Sequence, residues 1–173
     1  GWYEHIFDFY TLEGARRLGH ELADWQGGRL VLNVVDMPIK CPVAPLEFVF
    51  LADWFFTQEG IRDKTEIVYA TPLEGAFTKP KASALLGNML EERNIKVAPV
   101  WSTGSVDPDR NVMSTWEGEE MDYDLLVTIP LHQGAEVIGK SELGDHADFV
   151  PTHPNTLQAK AWENIFVIGD ATN

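Results

Sequence analysis

Read for the spacing of its apolar positions, the chain alternates between helix-like and strand-like runs over its first hundred residues. Thr11 is placed to cap a helix reaching about Trp25, with Leu12, Ala15, Leu18, Leu22 and Trp25 at helical spacing and Gly27-Gly28 to stop it. Leu30 to Asp36 is apolar on nearly both faces, the pattern of a central parallel strand. Met37 to Pro45 holds Pro38, Pro42 and Pro45 and reads as a loop. Leu46 to Glu59 then reads as a helix that is apolar on most sides and is stopped by Gly60. Thr65 to Ala70 is a second strand, Thr71 to Ala76 a loop, Pro80 to Arg93 a helix entered through its proline, and Ile95 to Val100 a third strand.

Strand, helix, strand, helix and strand in succession predict crossover connections and a parallel sheet. The pattern changes after Trp101. Short alternating runs, punctuated by Asp107-Pro108-Asp109 and Glu117-Gly118, predict an antiparallel meander up to Asp124. Leu125 to Ile129 returns as a buried strand ended by Pro130, and Gly134 to Leu157 is irregular. Asn164 to Ile168 reads as a last buried strand running into Gly169-Asp170. The first ten residues are aromatic-rich without a period. The fold class expected is therefore α/β: a Rossmann-like parallel sheet with crossover helices and an antiparallel meander.

Charge narrows the function. Thirteen Lys and Arg against 27 Asp and Glu give a net charge of −14, a field that repels phosphate backbones, so nucleic acid is not an expected partner. The longest apolar run, Phe48 to Phe56, is interrupted by Asp53 and is too short to span a bilayer, so no transmembrane segment is expected in this chain. The single cysteine, Cys41, allows neither an internal disulfide nor a cysteine-based zinc site. No His-x-x-x-His spacing occurs, so no metal is expected, and no Gly-x-Ser-x-Gly elbow supports a hydrolase triad. The 173 residues open without Met and end directly after an apolar run. They read as one domain excised from a longer protein.

The loop after the first central strand carries the most information. In a dinucleotide-binding unit it would hold Gly-x-Gly-x-x-Gly, because pyrophosphate must touch backbone amides at a helix N-terminus. Here it is Met37-Pro38-Ile39-Lys40-Cys41-Pro42-Val43-Ala44-Pro45, without a glycine and with three amides removed. The second strand ends Ala70-Thr71, without a carboxylate for a ribose hydroxyl. The domain thus reads as a degenerate NAD(P)-type unit, and NAD(P) is not an expected cofactor. Cys41 precedes a helix and follows Lys40, two features that favour a thiolate, although a cysteine in a fold of this kind can equally be a small buried hydrophobe. His132, in Pro130-Leu131-His132-Gln133-Gly134, follows a buried strand and could face a ligand, whereas the other histidines read as surface groups. Gly169 would let backbone pass close to a ligand, and the Asp170 carboxylate could accept from polyol hydroxyls.

These residues resemble a family. Ile165-Phe166-Val167-Ile168-Gly169-Asp170-Ala171-Thr172 looks like the second flavin-contact motif of the FAD-dependent pyridine nucleotide-disulfide oxidoreductases. Lys40-Cys41-Pro42-Val43-Ala44-Pro45-Leu46-Glu47 looks like the cysteine loop of the sulfide:quinone oxidoreductase and flavocytochrome c sulfide dehydrogenase branch, whose middle domain has also lost the nicotinamide cradle. The resemblance spans Thr11 to Asn173. It implies that Cys41 is one of a redox pair beside FAD that accepts sulfide sulfur, with Lys40 stabilising the thiolate. It implies that Gly169 and Asp170 hold the flavin's ribityl–phosphate region, with Pro42, His132 and Gly134 as further contacts. Sulfide, and a quinone or another electron acceptor, would be the partners. The full-length protein would be cytoplasmic or peripheral to a membrane. This domain alone would not retain FAD, and the apolar surface of such a piece admits a homo-oligomer. One departure is the loop Glu74-Gly75-Ala76-Phe77, which lacks the histidine some members carry. An NADH-dependent or uncharacterised flavoprotein reductase of the same superfamily is a second reading, and a non-catalytic interaction domain a third.

Overall fold

In the computed structural model, which describes residues 1–172, the chain forms two compact units. The larger comprises Gly1–Met37 and Cys41–Pro130. The smaller combines Pro38–Lys40 with the residues from Leu131 on.

The larger unit is built on a five-stranded parallel sheet in the order β1-β8-β2-β3-β4. Its strands are β1 (Ile6–Phe7), β2 (Gly28–Val34), β3 (Thr65–Ala70), β4 (Ile95–Ala98) and β8 (Leu125–Ile129). Three helices connect them: α1 (Leu12–Asp24), α2 (Ala44–Gln58) and α3 (Pro80–Glu92). Residues Leu30, Val31, Leu32 and Asn33 of β2 are fully buried. The strand pairs in parallel with β3 from Gly28↔Thr65 to Asn33↔Ala70 and with β8 from Leu30↔Leu125 to Val34↔Ile129. A strand enclosed on both edges and both faces needs apolar residues throughout, which is why its period is flat. Its buried exception, Asn33, donates to the Thr128 hydroxyl at 3.3 Å and accepts from the Thr103 hydroxyl at 2.9 Å.

The predicted meander is present as a separate antiparallel sheet, β5 (Thr103–Asp107), β6 (Val112–Thr115) and β7 (Glu120–Asp122). Met113 and Tyr123 from this region pack with Trp101 against Ile6, Val31, Val68 and Leu126 of the parallel sheet. The α/β class expected from the sequence is thus observed. Thr11 caps α1 through its hydroxyl, which accepts the Gly14 amide at 2.9 Å, and the buried Asp8 carboxylate accepts the Thr11 amide at 2.8 Å. An anion at a helix N-terminus is stabilised by the unpaired amides there.

Two sequence expectations need correction. The first ten residues do contain a strand, the two-residue β1, paired with β8 at Ile6↔Leu126. It is too short to show a period. Conversely, Asn164–Ile168 is not a buried strand. Within the smaller unit it is an extended segment joined to Leu157–Ala159 by the Ala159 amide to the Ile165 carbonyl and the Val167 amide to the Leu157 carbonyl, both 2.9 Å. Phe166 and Ile168 are 63% and 74% exposed. With one partner segment and one covered face, half of the apolar run points outward. The smaller unit also contains a short helix, α4 (Glu136–Lys140), inside the stretch read as irregular.

α2 is less uniformly apolar inside the fold than its composition suggested. Leu51 and Trp54 are exposed, whereas Asp53 is buried. The Arg62 Nε donates to Asp53 at 2.6 Å, and Arg93 reaches the second carboxylate oxygen at 3.2 Å. Arg62 also donates to the carbonyls of Thr65, Arg93 and Asn94, so one guanidinium joins α2, the start of β3 and the α3–β4 turn. Removing the carboxylate from such a site leaves a buried cation without its partner, at a cost of about 3 kcal/mol. Asp53→Ala is expected to lower unfolding stability by about that amount in urea titration, against less than about 0.5 kcal/mol for the exposed-site variant Leu51→Ala.

Candidate functional site

β2 and β8 are neighbours whose last paired residues are Val34 and Ile129. β3 lies on the other side of β2, so the sheet's connections diverge at the carboxyl end of β2, where open α/β sheets bind ligands. Residues 35–43 follow that end.

Several backbone donors of this loop are missing or engaged. Pro38, Pro42 and, just beyond, Pro45 have no amide N–H. The Met37 amide donates to the Asp36 carboxylate at 2.7 Å, the Ala44 amide to the Cys41 carbonyl at 3.0 Å, and the Lys40 amide to Nδ1 of His132 at 2.6 Å.

Cys41 is exposed, and its φ of 52° puts a non-glycine residue in the left-handed region. Such a conformation costs about 1–3 kcal/mol and persists where neighbouring contacts hold it. One such contact is the Ala44 amide. Another is the Tyr10 hydroxyl, which donates to the Cys41 carbonyl at 3.4 Å. Burial pushes the Tyr10 phenol up to about 12, with a further contribution from repulsion by the Cys41 thiolate. Pro42, next along the loop, is also exposed.

Within the smaller unit, Lys40, His132 and Asp170 act on one another. His132 is held below its ordinary value of 6.5, first by burial and then by the Lys40 cation, while Asp170 pulls the other way. A cavity of about 180 Å3 is lined by Pro38, Ile39, Lys40, Phe149, Gly169 and Asp170. Gly169 has a φ of 71°, and a side chain there would meet no atom within 4 Å, so its backbone is open to approach. A cation, a carboxylate and an open backbone in one cavity fit the phosphate and polyol portion of a flavin nucleotide. Gly134, in contrast, is closed by packing: its amide donates to the Ala147 carbonyl at 2.8 Å, and an added Cβ would lie 1.7 Å from the Asp148 carbonyl oxygen.

The link between Lys40 and His132 spans 92 positions and was not legible in the sequence, where the two residues carried separate expectations. Nothing in the local pattern of either segment signals the other. A larger cavity of about 760 Å3, lined by Glu74, Phe77, Ser83 and Asn88, lies between α3 and the loop after β3, the same loop that lacks the histidine.

No family model matches the chain. The mitochondrial sulfide:quinone oxidoreductase of Mus musculus is 27% identical over 177 aligned residues, covering 99% of this chain and 39% of that protein. The chain is similar to sulfide:quinone oxidoreductases. Its counterpart from Dictyostelium discoideum is 28% identical over 85% of the chain and 33% of that protein. The chain therefore spans well under half the length of these relatives. Among solved structures, the sulfide:quinone oxidoreductase of Aquifex aeolicus superposes with a TM-score of 0.81 at 20% identity, over 98% of this chain and 42% of that one. A water-forming NADH oxidase from Lactobacillus brevis, solved with NADH bound, shares the fold with a TM-score of 0.61 at 8% identity, over 98% of this chain and 35% of that one. The resemblance read from the cysteine loop and the closing Gly-Asp motif agrees with these findings.

The Tyr10–Cys41 geometry makes a direct prediction. Replacing Cys41 by Ser removes the thiolate's contribution and leaves burial alone. The Tyr10 midpoint, followed by ring 13C NMR, is expected to fall from about 12 yet stay above 10. Because the phenol ionises later folded than unfolded, its contribution to stability is present below pH 10 and is lost as pH rises from 10 towards 12.

Proposed function

We propose that the chain is the nicotinamide-type domain of a flavin-dependent oxidoreductase that takes sulfide sulfur onto Cys41 and delivers the electrons to a quinone. The observation that carries this reading is Cys41 itself: an exposed residue on a left-handed backbone, at the carboxyl end of the central strand, in a loop with three prolines and no glycine whose Met37 and Lys40 amides are engaged. That loop suits a thiol and does not suit a pyrophosphate. The similarity to sulfide:quinone oxidoreductases over 99% of the chain supports the same assignment.

In this reading, a hydrosulfide ion attacks the disulfide that Cys41 forms with a cysteine outside these 173 residues. The S–S bond breaks, one sulfur becomes a persulfide, and the other leaves as a thiolate. Lys40, adjacent in sequence, stabilises the anionic sulfur. Gly169 and Asp170 would hold the flavin's ribityl–phosphate region. When bound, the flavin supplies a two-electron sink. The related reading of an NADH-dependent reductase lacks the glycine-rich turn in the loop after β2.

The test uses the full-length, flavin-loaded protein. Cys41→Ser is expected to lower sulfide-dependent quinone reduction by at least about a thousandfold with flavin content unchanged. Retained activity would remove Cys41 from the reaction. NADH oxidation at a comparable rate would favour the second reading, and absence of any flavin from the full-length protein would favour an interaction domain. The 173-residue chain alone is expected to purify colourless.

A further inference from the structure

We propose that His132 is a positioning residue: by accepting the Lys40 amide it clamps residues 38–40 into the smaller unit, fixes the backbone leading into Cys41, and releases it when the imidazole takes a proton.

The donor and acceptor set this directly. The Lys40 N–H points at Nδ1 of His132 across 2.6 Å, so Nδ1 must present its lone pair, and in the neutral ring the proton sits on Nε2. A proton on Nδ1 would set two donors against each other, and the bond could not persist.

Two contacts tie the loop to distant parts of the sequence. Between residues 37 and 42 the amides of Pro38 and Pro42 do not exist, and that of Met37 donates to the neighbouring Asp36. The Tyr10 hydroxyl holds the Cys41 carbonyl, and the Lys40 amide reaches His132 just before Cys41. The next residue is Cys41, whose left-handed φ requires restraint from both sides. The Ala44 amide on its carbonyl supplies the restraint that follows, and the clamped Lys40 amide supplies the one that precedes.

The groups facing the imidazole set its behaviour. Burial and the Lys40 cation favour the neutral ring, and Asp170 favours the charged one, with burial the largest influence. The folded ring therefore titrates below 6.5. The clamp's stabilisation is complete above 6.5 and is lost as pH falls through that value towards the lower folded midpoint. What the clamp serves rests on the role proposed for Cys41, whereas the clamp itself does not.

Residue-resolved hydrogen exchange at the Lys40 amide tests it, in the wild type, in His132→Asn and in His132→Phe. The Asn side chain offers a fixed oxygen near the place of Nδ1 and does not titrate, and Phe offers a ring without an acceptor. At neutral pH the Lys40 amide should be protected in the wild type and in the Asn variant, and exchange about tenfold faster in the Phe variant. As pH is lowered until the His132 ring has titrated, followed by its own 13C NMR shift, wild-type protection corrected for intrinsic exchange should fall to the Phe level while the Asn variant stays flat. Protection of Leu32, in the centre of β2, monitors the fold in each sample. Equal Lys40 protection in the wild type and the folded Phe variant would overturn the proposal. If the Phe variant unfolds, an equal pH response in the wild type and the Asn variant overturns it. Sulfide turnover is measured separately: a protected, pH-sensitive Lys40 amide in a protein that does not oxidise sulfide would keep the clamp and discard the function proposed for Cys41.

Discussion

Three prolines decide what the carboxyl end of the central strand can do. A Rossmann-like sheet concentrates ligand-binding capacity at that end, and the usual currency there is the backbone amide. Pro38, Pro42 and Pro45 delete three donors from the loop, and local or distant acceptors engage the amides of Met37, Lys40 and Ala44. The sheet that orients the loop is still built with full burial, flat apolar strands and satisfied pairing on both edges of β2. The fold therefore keeps its scaffold while the loop at this edge carries three prolines and an exposed cysteine.

The scaffold can afford this because its rigidity lies elsewhere. Asp53 and Arg62 tie α2 to the start of β3 and to the α3–β4 turn, and Asp8 with Thr11 terminates α1. None of these contacts involves the proline loop. Its conformation is set by the Ala44 and Tyr10 contacts to the Cys41 carbonyl and by the Lys40 amide on His132. The left-handed backbone at Cys41 is held by those contacts.

Much of the scaffold was legible in the sequence, and the reason is local. β3 and β8 match their apolar runs residue for residue, because a strand buried on both faces announces itself without a partner. Thr11 and Pro80 mark two helix starts through capping and a fixed φ. The misread elements depend on pairing. β1 is two residues long and exists through its register with β8, while Ile165–Ile168 looks like a core strand but pairs on one side and exposes Phe166 and Ile168. At the site, Cys41 and the Gly169-Asp170 pair stood out as residue types after strand-like runs. The Lys40–His132 contact did not, because a hydrogen bond across 92 positions leaves no periodicity or spacing to read.

The central claim is that the loop after β2 serves sulfur chemistry at Cys41. The most direct measurement is peptide mass spectrometry of the full-length, flavin-loaded protein, quenched after a single turnover with sulfide. The account predicts one additional sulfur on the peptide containing Cys41, as a persulfide or bridged to its partner cysteine. Consumption of sulfide with the Cys41 peptide carrying only its original sulfur would contradict it.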